Sequence, residues 1–179
     1  PLIVLGALIL GILLGEWMRI EDRLRALGGN LEKRFASTSG ESNTFVRGFL
    51  TASLLFCVGP MAILGSIQDG LSGDYRLLAI KSTLDFFSAL AFSSTLGVGV
   101  LFSTLVILVF QGGISLAAGG LNAIITIPML NELTATGGVL LLGLAVSSLL
   151  EIKPIRVGNF LPALAVAPLI VWVIGLLQK

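Results

Sequence analysis

Apolar residues fill this chain in long runs, and the polar residues that separate them fall into a few short clusters. Leu2 to Met18 is the first run, and it meets charge only at Glu16-Trp17, where an aromatic ring suits a membrane interface. Within it Ala7, Gly11 and Gly15 repeat at four-residue spacing, a small-residue face that lets another helix approach closely. Arg19 to Arg34 then interleaves five basic residues with acids, and Leu24, Leu27 and Leu31 recur at helical spacing. That pattern predicts a short amphipathic helix lying at the interface, bent or broken at Gly28-Gly29. Glu21, Asp22 and Glu32 dilute its charge, which argues against a polybasic lipid switch. Ala36 to Thr44 reads as a flexible polar loop.

A second apolar run extends from Phe45 to Ile67 and is interrupted by Gly59-Pro60. Proline removes one ladder hydrogen bond and disfavours helical geometry at the residue before it, so a break is expected there. Gln68 to Asp74 has the composition of a turn-rich connection. Leu77 to Phe92 is a third span, and Ser93-Ser94-Thr95-Leu96-Gly97 divides it from a fourth that ends near Ala118. From Leu77 to Ala118 there are 42 residues, about 63 Å of helix and so about twice a hydrocarbon thickness. The chain must therefore turn once in this interval, with Gly97 and Gly99 as the available breakers, while Ser93, Ser94 and Thr95 are placed to close a small polar pocket. Residues 121–133 are too short to cross and contain Pro128, which predicts a re-entrant or interface-lying segment. Thr134 to Leu150 is a fifth span, Glu151 to Arg156 a tight turn, and Val157 to Leu177 a sixth span holding Pro162 and Pro168.

Composition agrees with this layout. Hydrophobic residues make up 55% of the chain and charged residues 12%, about half the charged share of a soluble domain, and the mean hydropathy is +1.02. The fold class is all-α: a polytopic transmembrane bundle of about six spans, forming a single integral membrane domain over residues 1–179. No ten-residue alternating segments of a β-barrel occur. A net charge of +1 argues against a nucleic-acid partner. The lipid bilayer is the partner the composition demands. With no histidine, the usual zinc sites and histidine-based triads are excluded, and no cofactor or metal is expected. Lone Cys57 forms no internal disulfide.

Placing Arg19 to Arg47 and the Lys153 to Arg156 turn on one side collects eight of the eleven Lys and Arg, leaving Arg76, Lys81 and Lys179 opposite. The positive-inside rule makes that side cytoplasmic and turns both ends of the chain outward. Residues 98–105 align with 157–164 at an offset of 59, each block opening an outward-going span, and Gly48 to Leu54 is a looser third copy. This pattern predicts helical hairpins repeated in parallel orientation.

The chemistry stands out against this background in Lys81 to Leu105. Lys81, Asp85 and Ser88 fall on one helical face, and an ion pair there is intramembrane. A charge at that depth costs at least about 2.5 kcal/mol on insertion scales, so it turns to a cavity, a partner or a bundle interior. Two classes of function fit. One is a channel or secondary transporter for a small ion or polar solute, with Lys81, Asp85, Ser88, Gln68, Asp69 and Glu132 along the path and helix breaks at Gly59, Pro60, Gly97 and Pro162. The other is a non-transporting membrane component that assembles, as a homo-oligomer or with a partner, through Ala7, Gly11 and Gly15. Enzymatic activity is not expected, since Lys81 with Ser88 is the only nucleophile pair and serine on a membrane helix is ordinarily helix-to-helix glue.

The chain resembles the YqgA-like (YdfK-like) bacterial inner-membrane proteins, a domain of unknown function. The resemblance is carried by Gly59 through Asp74, Lys81-Ser82 with Asp85, and Ser94-Thr95-Leu96-Gly97. It continues in Glu132-Leu133-Thr134-Ala135 with Gly137-Gly138, and in Ile155-Arg156-Val157 through Leu161-Pro162-Ala163-Leu164. It implies a multi-pass protein of the bacterial inner membrane, and, since such proteins usually begin with a further helical hairpin, it implies that one precedes the abrupt Pro1. A transporter description within the family is an analogy from topology.

Overall fold

The computed structural model describes residues 2–35, 42–120 and 125–177, and it is all-helical among them. The described residues include eight α-helices: α1 Leu2–Met18, α2 Ile20–Phe35, α3 Ser42–Cys57, α4 Pro60–Ser72, α5 Arg76–Leu96, α6 Gly99–Leu116, α7 Ile127–Leu144 and α8 Ala163–Leu177. A π-helical turn, Ala145–Leu149, prolongs α7, and a 3-10 turn, Val157–Phe160, precedes α8. Among the described residues four helices are long and apolar enough to cross a membrane, and counting each of two bent helix pairs as one span brings the number to six. The chain is thus a polytopic helical membrane protein. It folds as two compact units, one of Pro1–Asp22 with Ala123–Lys179 and one of Arg23–Asn122.

In the first unit α1 lies antiparallel against α8. The Ala7, Gly11 and Gly15 face makes this contact: Ala7 joins Ala163, Val166 and Ala167 in a buried cluster, and a Cβ on Gly11 would come within 2.5 Å of the Ala163 Cβ. The small-residue signal in the sequence is therefore used inside the chain, where it brings two backbones together. α7 and α8 form a hairpin whose turn is fixed by Ser147, its hydroxyl accepting from the Ile155 N–H and donating to the Ile155 carbonyl, both at 3.0 Å.

In the second unit the broken rod of α3 and α4 runs alongside α6 in the same direction. Glycines set the close approaches at both ends: a Cβ on Gly99 would meet the Phe45 carbonyl oxygen at 2.0 Å, and one on Gly70 the Ser115 carbonyl oxygen at 2.0 Å. α5 runs back beside α3, and Ala52 and Phe56 of α3, Leu96 of α5 and Val100 of α6 form a buried cluster. α3 is buried nearly all round, whereas α5 turns Leu84, Phe86, Phe87 and Leu90 outward, as a lipid-facing helix does.

Several local expectations change. The Gly59-Pro60 break is present, with α3 and α4 meeting at 64°, and the Gly97 turn is present with φ +73°. Pro162 likewise separates the 3-10 turn from α8. Gly28-Gly29, however, lies within continuous α2. Gly28 is small because Phe49 packs there, 2.9 Å from where a Cβ would stand. The chain bends instead at Arg19, a non-glycine residue with φ +49°. Residues 127–133 open α7 rather than forming a separate re-entrant piece, because Pro128 sits in its first turn, where a missing N–H costs nothing. Residues 68–72 continue α4, and Ser93 to Leu96 continue α5, since helical hydrogen bonding outweighs turn composition in a short apolar context. Helix α3 already begins at Ser42, inside the stretch read as a loop, and the loop reading of residues 36–41 lies outside the described residues, as do residues 121–124. Both aligned blocks do open a helix just after a turn, α6 at Gly99 and the 3-10 turn at Val157.

Candidate functional site: a buried ion pair at a broken helix

Helix α5 begins at Arg76, so Lys81 stands about 7.5 Å along its axis and Asp85 one turn further. Of its residues only Lys81 and Leu96 are buried. The Lys81 ammonium is hydrogen-bonded and ion-paired to Asp85 Oδ2, with the lysine side chain 9% and the aspartate 25% exposed. The ammonium also lies 5.9 Å from the centre of the Phe56 ring on α3, a cation-π geometry. Cys57, the last residue of α3, is within electrostatic reach of both charges.

The break supplies more than a bend. Because residue 60 is proline, the Phe56 carbonyl loses the donor that would continue the ladder, so the negative end of α3 is left open at the residue whose ring meets the lysine. One turn back on the Cys57 side of α3 stands Ser53, 1% exposed, and its hydroxyl has no hydrogen-bond partner. Thr51 is buried and unpartnered as well. Other helix hydroxyls behave differently: Ser66, Ser88, Ser103 and Thr136 each donate to a carbonyl three or four residues back in their own helix.

The remaining sequence candidates scatter. Ser88 satisfies its hydroxyl on Leu84 at 2.9 Å and is not bonded to Lys81, which weakens any nucleophile pairing. Gln68 is exposed and Asp69 half-buried on α4, eight and nine residues beyond Pro60 and so about 12 Å or more from the break. Their backbone carbonyls close the end of α4, accepting from Ser72 Oγ and the Gly73 N–H. The Ser93, Ser94 and Thr95 hydroxyls donate to Leu90, Ala91 and Phe92 carbonyls rather than lining a shared pocket. Glu132 belongs to the first unit, on α7, where its Oε2 is buried without a partner.

Sequence reading passed over Ser53 and Phe56, which look like ordinary apolar-helix residues, and it passed over a second polar cluster. At the Arg19 bend two helix starts cap each other. The Glu21 N–H donates to Asn159 Oδ1 at 2.8 Å, and the Gly158 N–H donates to Glu21 Oε2 at 3.1 Å. Asn159, fully buried, also donates to Glu16 Oε1 at 2.8 Å. These bonds satisfy donors that any helix start leaves open. The available signal was a lone asparagine in an apolar block that repeats an earlier block without one. Asn159→Ala should lower stability by about 2 kcal/mol or more, because it strands several buried groups. Thermal melting of the purified variant in detergent checks this, and an unchanged midpoint counts against the cap.

Fold and site together define a class: polytopic helical membrane proteins that keep an ion pair inside the bundle beside a broken helix. Within that class the chain belongs to the family described as "Protein of unknown function (DUF554)", whose model matches residues 1–172. It is similar to the uncharacterized membrane protein YdfK of Bacillus subtilis (strain 168), with 33% identity over 174 residues, covering 97% of this chain and 72% of that protein. It is also similar to the uncharacterized protein YqgA of Escherichia coli (strain K12), with 31% identity over 169 residues, 93% of this chain and 71% of the relative. No solved structure matches the chain.

Proposed function

We propose that this protein is a channel or secondary transporter for a small ion or polar solute, working without enzymatic chemistry in the bacterial inner membrane. One observation carries the reading: Lys81 and Asp85 are paired on the single inward strip of an otherwise lipid-facing helix, against a half-helix that ends mid-span. A protein that only packs helices needs neither charge, and broken helices with open carbonyls are where transporters commonly hold ions. The alternative, an assembly component acting through Ala7, Gly11 and Gly15, has less support because α8 already covers that face within the chain.

The test is purified protein in liposomes, assayed for flux of a panel of cations, anions and small metabolites. Wild type should carry at least one of them, and Asp85→Asn, which nearly preserves shape, should abolish or reshape that flux. Full flux in a folded Lys81→Met/Asp85→Leu double variant would sink the role assigned to the pair.

The same reading expects Arg19 to Arg47 and Lys153 to Arg156 on the cytoplasmic side. Within the first unit the start of α2 and the turn before α8 do lie together, joined through Glu21 and Asn159 and by Arg156 3.9 Å from Glu16. In a Cys57→Ala background, an impermeant thiol reagent added to intact cells should reach a cysteine at exposed Ser72 and miss those at Arg34 and Lys153. External labelling at Lys153 reverses the orientation.

A further inference from the structure

We infer that the groups around Lys81 form a site for a small monovalent cation, with the lysine ammonium as its tethered occupant; this rests on the transport reading and names its substrate class. Both groups that meet the ammonium suit a cation. Asp85 supplies a carboxylate and Phe56 the face of its ring, and the helix end that carries this ring has a carbonyl whose ladder donor Pro60 removes. Ser53 adds an unpartnered, buried hydroxyl oxygen on the strip of α3 that leads to Cys57, one turn away. An anion would meet the ring face and the negative helix end instead. The α4 start at the same break offers it little, because its first residue, Pro60, has no N–H.

Charge balance selects monovalent over divalent. Calcium and magnesium are held by about six or more oxygens, commonly with several carboxylates, and no group of three His, Cys, Asp or Glu stands together among the described residues. One carboxylate is neutralised by one positive charge. A sodium-like or potassium-like ion can therefore replace the ammonium on Asp85, and the bundle stays neutral when Lys81 swings its ammonium out toward the nearby start of α5 as the ion enters. Occupancy by the ion and by Lys81 are mutually exclusive. The lysine then closes the site whenever no ion is present.

Removing the tethered occupant should open the site to a free ion. Detergent-purified Lys81→Met, dialysed against radioactive sodium or rubidium, should show saturable binding about tenfold or more above wild type at equal concentration. Adding Asp85→Asn should return binding to the wild-type level, and adding Ser53→Ala should weaken it severalfold. Radioactive chloride should not bind. Folded Lys81→Met that binds neither cation, or that binds chloride instead, overturns the inference. If Lys81→Met and Lys81→Gln fail to fold at low salt, sodium or rubidium in the buffer should restore folding by filling the vacated place, and failure at every salt concentration overturns the inference equally. Because binding is read without flux, cation binding in a protein that transports nothing would sink the transport reading alone, whereas anion flux without cation binding would sink this site alone.

Discussion

Asp85→Ala is expected to lower the stability of the folded protein by about 3–5 kcal/mol, the cost of leaving one partner of a buried pair uncompensated. The lysine cannot simply reach water in its observed position, since its side chain is 9% exposed and rests against α3. If the pair contributes only to structure, Lys81→Met with Asp85→Leu should recover much of the loss, because apolar replacement of both partners is often neutral or stabilising. Denaturant or thermal melting in detergent separates the cases. A single variant as stable as wild type would mean that Lys81 finds another partner or the surface, and the site as described would not stand.

Gly15→Leu should be more damaging still. A Cβ at Gly15 would fall 1.8 Å from the carbonyl oxygen of Asn159, which is backbone and cannot turn aside. Either α1 or the Val157–Phe160 turn must shift, and the bonds that Asn159 makes to Glu16 and Glu21 shift with it. A loss of about 5 kcal/mol or failure to fold is expected, at the upper end of single-residue effects. Gly29→Ala is the matched control: nothing lies within 4 Å of a Cβ there, so a helical alanine should be neutral or stabilise by up to about 1 kcal/mol. Equal stability of the Gly15 and Gly29 variants would contradict the close approach of α1 to the Val157–Phe160 turn. A change of oligomeric state with stability unchanged would return the glycine face to an intermolecular role.

Much of the fold was legible because membrane burial is written in one-dimensional patterns. Long apolar runs named the spans, Gly59-Pro60 named the break, and Ala7, Gly11 and Gly15 named a close helix contact, although not its partner. The errors share a cause. Gly28-Gly29, residues 68–72, Ser93 to Leu96 and Pro128 all have turn-like composition, yet each lies in a helix, since backbone groups in an apolar setting are most readily satisfied by continuing the helical ladder. The Arg19 bend was invisible for the converse reason: the bonds of Asn159 and Glu21 that accompany its positive φ come from residues 138 positions apart in the chain.

The candidate site divides in the same way. Sequence by itself determined that Lys81 and Asp85 pair, because a four-residue spacing on a helix fixes that contact locally and the apolar surroundings make it worth noticing. It also determined that the chain breaks at Gly59-Pro60. Only the tertiary structure decided that these two features meet. α5 runs antiparallel to α3, and that packing sets the ammonium over Phe56 and brings Cys57 within reach, while Ser53 is buried one turn back along α3 and Ser88, Gln68 and Asp69 make their bonds elsewhere. The physical reason is range: spacing along a helix dictates neighbours within a turn, whereas which strip of one helix faces another depends on where glycines such as Gly48, Gly70 and Gly99 let whole backbones approach.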